Sequence, residues 1–141
     1  MSDLFTLRPA RPEDKGNIDA YAYWEGMDNM PSVENITVAE SNEGDVVGFV
    51  RVAKGVNGIY HVNPVVVVST WRGYGVGRAL MEDAQQRFGE LRLVARGSAV
   101  GFYKALGYTE ITWDDVDKAE VDDCDHCPMR EECAPLPMGK K

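Results

Sequence analysis

A chain of 141 residues with 44% hydrophobic and 27% charged residues fits one compact domain, with a core large enough to need no covalent staples. A formal charge of −8 and a pI near 4.7 argue against a general nucleic-acid binder, whose hold on phosphate backbones comes from Lys and Arg; the acidic balance suits cationic partners or simply solubility. The stretch from Met1 to Arg8 has neither a basic nor an apolar leader pattern, and no window approaches about 20 apolar residues, so a cytoplasmic protein with no membrane contact is expected.

Phe5 to Arg8 alternates apolar and polar and predicts a first strand. Arg11-Pro12-Glu13-Asp14 opens a helix, with Pro near its first turn and acids at its positive end, and Ile18, Tyr21, Ala22 and Glu25 share its packing face. A turn-rich loop with Met27, Met30 and Pro31 follows. Then come three strands, Ile36 to Glu40, Val46 to Ala53 and Ile59 to Val68, joined by turns at Asn42 to Asp45 and at Asn57-Gly58. Leu80, Ala84 and Phe88 recur every four residues in a helix from Gly77. Leu91 to Ala95 is a strand, Ser98 is read as the N-cap of a short helix through Leu106 that Gly107 ends, and Tyr108 to Trp113 as the last strand. Seven acids against one basic residue between Asp114 and Asp125 mark a change in composition, so the domain is expected to span residues 1–113 and an acidic tail residues 114–141.

Arg72-Gly73-Tyr74-Gly75-Val76-Gly77 lies between a β-branched strand and an amphipathic helix, where outward-pointing backbone amides at a helix N-terminus form an anion site. Arg72 and Arg78 add positive charge suited to a diphosphate. No Lys-Ser/Thr follows the glycines, which argues against a nucleoside triphosphatase, and the glycine spacing departs from the dinucleotide fingerprint.

Arg72, Gly75 and Gly77 meet the Arg/Gln-x-x-Gly-x-Gly/Ala pattern of the GNAT acetyltransferase superfamily, and Ala99 to Tyr108 resembles that superfamily's late helix ending in Phe-Tyr-x-x-Leu-Gly-Phe/Tyr. The resemblance runs from Phe5 to about Trp113 and implies a mixed α/β (α+β) fold, with a mainly antiparallel sheet of six to seven strands flanked by about four helices. It also implies transfer of an acetyl group from acetyl-CoA to a small-molecule or peptide amine by direct attack in a ternary complex. By position, Val67 and Val68 would lend backbone amides to the thioester and pantetheine arm, and Tyr103 would protonate the departing thiolate. A phenol and a thiol titrate within a couple of units of each other, which allows that transfer. Relatives often place a Glu where this chain has His61, so His61 is either the general base or a satisfied strand histidine beside a water relay.

Cys124, Cys127 and Cys133 with His126 offer three thiolates and an imidazole, a set able to hold tetrahedral zinc, against the alternative of a reduced, metal-free tail. Two other functions stay open: a non-catalytic acyl-CoA sensor with a regulatory tail, and a redox or metal-storage protein. The acceptor and the oligomeric state, a homodimer included, are not legible in the sequence.

Overall fold

The computed structural model describes residues 4–27, 29–55, 58–117 and 134–141. Its strands are β1 (Phe5–Pro9), β2 (Ile36–Ser41), β3 (Val46–Lys54), β4 (Tyr60–Val67), β5 (Leu91–Ala95), β6 (Thr109–Glu110) and β7 (Leu136–Lys140), and its helices are α1 (Lys15–Trp24), α2 (Val76–Phe88) and α3 (Val100–Ala105). They form a mixed seven-stranded sheet in the order β1-β2-β3-β4-β5-β7-β6, in which β4 and β5 run parallel, whereas β1 with β2, β2 with β3, and β7 with both β5 and β6 pair antiparallel. The helix α2 is the crossover that a parallel pair requires. No helix among the described residues is long and apolar enough to cross a membrane.

The chain divides into two compact units, Met1–Val52 with Pro64–Arg87 and Ala53–Asn63 with Phe88–Lys141. In the first, Ile18 and Ala22 of α1 are completely buried with Val38 and Phe49, as the helical spacing of the sequence predicts. Each such large side chain removed from water contributes about 1.5–3 kcal/mol.

Arg8 on β1 grips Asp14 with both guanidinium branches, at 2.7 and 3.1 Å, and reaches Glu40 with Nε at 3.1 Å. Asp14 also accepts the Arg11 N–H at 2.7 Å, at the entry to α1, where Pro12–Asp14 forms a 3-10 turn. The Arg8 hydrogen bonds hold the Asp14 carboxyl below its usual range although burial opposes them. A depressed carboxyl stabilises the fold above its unfolded pKa of about 3.9 and loses that contribution as pH falls through its folded value. Asp14→Asn is therefore expected to cost about 2 kcal/mol at neutral pH. Urea unfolding at pH 7 and pH 3 should show the gap to wild type narrowing in acid.

In the second unit, Leu91, Leu93 and Ala95 are the buried face of β5, and Leu93 lies opposite the fully buried Met138 of β7. The sheet therefore does not end near Trp113, because residues 136–140 return to it between β5 and β6. Pro137 sits opposite Val94, and its one backbone hydrogen-bonding group, the carbonyl, accepts the Ile111 N–H at 3.0 Å just past the end of β6. The segment read as a strand from Tyr108 to Trp113 is strand only at Thr109–Glu110. Thr112 and Asp115 then form a capping box, with the Thr112 amide and hydroxyl both donating to the Asp115 carboxylate, and this turns the chain into a 3-10 segment.

Candidate active site

Each predicted site residue falls in one unit or the other, and the glycine loop belongs to the first. After β4, Ser69–Trp71 makes a 3-10 turn, Arg72 to Gly75 forms the loop, and α2 begins at Val76, one residue before the predicted start. Gly73 and Gly75 hold φ of +87° and +83°, a conformation that side-chain-bearing residues rarely adopt. Val76 is buried, together with Leu80, Met81 and Ala84, so the first turn of α2 is anchored while Arg72 to Gly75 stay exposed. Arg72 N–H bonds back to Ser69 and Ala79 N–H to Gly75, whereas the amides of Gly73, Tyr74, Gly75, Val76, Gly77 and Arg78 meet no acceptor among the described residues. A run of unpaired donors at the positive end of a 13-residue helix is equipped to take an anion.

The side chains at this loop are held from within the same unit. Arg72 pairs with Glu25, just past the end of α1, at 2.5 Å, a partnership with no signal in the sequence pattern. Arg78 lies 3.9 Å from Glu82 one turn along α2 and is exposed. The ring of Tyr74 stands 5.5 Å from that of Trp71.

Val67 and Val68 differ in what their amides can offer. Val68 N–H donates to the Val47 carbonyl at 2.9 Å, so the expected role of this amide towards a ligand is corrected: it is spent on β3. Amides alternate along a strand, which assigns the Val67 N–H to the opposite edge. There the ladder to β5 is registered only at Tyr60↔Leu91 and His61↔Arg92.

His61 and Tyr103 belong to the second unit. His61 is completely buried on β4. Its Nε2 lies 3.0 Å from the Asp117 N–H and accepts from it, which leaves the proton on Nδ1, 3.0 Å from the Ile59 carbonyl. Both ring nitrogens are thus engaged by backbone. Gly55 makes room for this arrangement, since a Cβ there would stand 3.0 Å from His61 Cε1 and 3.1 Å from Asp117 Oδ2.

Tyr103 is the buried residue of α3, at 8% exposure. The helix is entered through a 3-10 turn at Gly97–Ala99, and its N-cap is Ala99 rather than the predicted Ser98. The tighter turn already pairs the Ala99 N–H with the Arg96 carbonyl, and no side-chain cap bond forms. The exit follows a Schellman pattern: Gly107 N–H bonds to Lys104 O and Tyr108 N–H to Tyr103 O, with Gly107 at φ +95°. The Tyr103 ring packs against Phe102 at 5.0 Å and Tyr108 at 5.7 Å. Burial pushes its hydroxyl pKa up to about 12, with the charge of Arg96 pulling the other way. Proton transfer to a thiolate of ordinary pKa, about 8.5, thus runs uphill by about 3.5 units, a wider gap than the unperturbed values suggest.

Cys124, His126, Cys127 and Cys133 lie outside the described residues. Among the described residues no group of three or more His, Cys, Asp or Glu side chains could hold a metal ion.

Residues 32–110 match the acetyltransferase (GNAT) domain family. An uncharacterized N-acetyltransferase of Chlorobaculum tepidum, CT2212, is 29% identical over an alignment covering 95% of this chain and 94% of that protein. Among solved structures, Rv2747 from Mycobacterium tuberculosis, in complex with CoA, superposes with a TM-score of 0.77 at 18% identity, over 95% of this chain and 97% of that one. N-acetylglutamate synthase from Neisseria gonorrhoeae, complexed with coenzyme A and N-acetyl-glutamate, gives 0.75 at 12% identity, over 99% of this chain and 35% of that one. At these identities the two structures support the fold.

Proposed function

The chain belongs to the acetyltransferase (GNAT) family, and from that premise we propose that it transfers the acetyl group of acetyl-CoA directly to a small-molecule or peptide amine. The observation that carries this reading is the row of unpaired amides from Gly73 to Arg78 at the N-terminus of α2. They offer fixed, oriented dipoles for the CoA diphosphate, and Arg72 exchanges its exposed pairing with Glu25 for a phosphate oxygen.

The amine attacks the thioester carbonyl, the tetrahedral intermediate collapses with loss of the C–S bond, and the thiolate takes the phenolic proton of Tyr103. The phenolate regains a proton from solvent. The Val67 amide is the backbone donor proposed for the arm or the carbonyl oxygen. The acceptor's ammonium proton leaves through water, a route supported by the burial of His61 and the engagement of both its nitrogens. His61 then acts as a strut, which is the second of its two sequence readings.

The deciding experiment is release of free CoA from acetyl-CoA over a panel of amino acids, polyamines, aminoglycosides, peptide N-termini and lysine peptides, against an enzyme-free control. Release with one acceptor class supports the enzyme and names its substrate type. The engaged His61 also suits a non-catalytic acyl-CoA sensor, which would bind acetyl-CoA and release no CoA with any amine.

In either case Arg72→Ala is expected to weaken acetyl-CoA binding about tenfold at low salt, an effect that narrows as salt screens the exposed charge. Isothermal titration at two ionic strengths checks this.

A further inference from the structure

Tyr108 has a feature that packing alone does not require. The Schellman pattern at the end of α3 fixes its backbone by the bond from Tyr108 N–H to the Tyr103 carbonyl, 3.1 Å, and sets its ring edge-on against Tyr103 at 5.7 Å and 64°. An apolar contact between these two positions is what the motif asks for, and phenylalanine would supply it fully. The chain instead places a hydroxyl there. Tyr108 is 3% exposed, and its hydroxyl has no hydrogen-bond partner among the described residues. A buried, unpaired hydroxyl costs stability and calls for an explanation.

We infer that the Tyr108 hydroxyl is a positioning donor for Tyr103, forming its hydrogen bond when Tyr103 becomes a phenolate on handing its proton to the CoA thiolate. This rests on the reading of Tyr103 as the acid. Burial makes each phenol harder to ionise, and for Tyr108 the neighbouring Tyr103 adds to that effect. A negative oxygen formed in such surroundings has little water to solvate it, so a nearby neutral donor is worth most at that moment. A donor unpaired at rest and paired with developing charge stabilises the transition state without stabilising the ground state. In atoms, the Tyr103 O–H bond breaks and the CoA S–H bond forms. The Tyr108 proton stays on Tyr108 throughout, and solvent later returns a proton to Tyr103.

The test compares wild type, Tyr108→Phe, Tyr103→Phe and the double variant, with hydroxylamine as acceptor so that no natural substrate need be known. Tyr108→Phe is expected to lower kcat about tenfold, as loss of one charge-assisted hydrogen bond does. The KM for acetyl-CoA should not move, and the melting temperature should stay level or rise because an unpaired hydroxyl is removed. In the Tyr103→Phe background, Tyr108→Phe should change nothing further, since the phenolate it serves no longer forms. The inference is overturned if Tyr108→Phe keeps wild-type kcat while Tyr103→Phe does not, or if Tyr108→Phe slows both backgrounds equally. Wild-type turnover by Tyr103→Phe would instead remove the acid reading beneath it. A wild-type rate no greater than the enzyme-free rate would remove the reaction that both serve.

Discussion

Tyr103→Phe is expected to lower kcat by about 10²- to 10³-fold while the dissociation constant for acetyl-CoA stays unchanged. The split follows from where the hydroxyl acts. Phenylalanine keeps the ring contacts with Phe102 and Tyr108 at 5.0 and 5.7 Å, so α3 and its Schellman exit should persist. The diphosphate is proposed to bind at Gly73 to Arg78, amides that this substitution does not alter. What is lost is a proton at the instant the thiolate departs, and an interaction made only there changes kcat rather than binding. Stopped-time assays of CoA release paired with calorimetric acetyl-CoA binding separate the two quantities. Equal loss of both would point to a collapsed helix, and loss of neither to a tyrosine that only packs.

How much of this was legible depended on how local each signal is. Strands β1 to β5 fall within one residue of the predicted limits at every end, because alternation and turn residues act over a few positions. The run Arg72 to Gly77 was likewise readable, since only glycine adopts the φ seen at residues 73 and 75 with ease. Strand β7 was not. Pro135 and Pro137 argue locally against a strand, and it is pairing with distant residues, such as that of Met138 with Leu93, 45 positions earlier in the chain, that makes Leu136–Lys140 a strand. The role of Val68 failed for the same reason, since its amide is taken by Val47, a residue on another strand. Nor could the sequence choose between the two roles of His61. Its partners are the backbone groups of Ile59 and Asp117, and a backbone group bears no residue-type signature.

The choice for His61 can be forced by comparing stability with rate. His61→Ala should lower the free energy of unfolding by about 3–5 kcal/mol, because it opens a cavity at a fully buried site and takes the imidazole acceptor away from the Asp117 N–H, while the Ile59 carbonyl keeps its bond from the Gly55 N–H at 2.8 Å. Urea denaturation measures that loss, and kcat taken at a temperature where the variant remains folded measures the other. A strut predicts a large drop in stability with a modest change in kcat per folded molecule. A general base predicts the reverse weighting, with kcat down by two or more orders of magnitude, as general-base loss typically shows. Asp117→Pro sharpens the contrast by removing the N–H donor and leaving the imidazole in place. The preceding residue, Val116, already has the extended backbone that a following proline requires, at φ −106° and ψ 143°. If His61 is held in place to fasten residue 117 to β4, this variant loses about 1–3 kcal/mol, the usual cost of orphaning a buried acceptor. If His61 is the base, freeing its Nε2 lone pair should instead leave turnover intact or raise it.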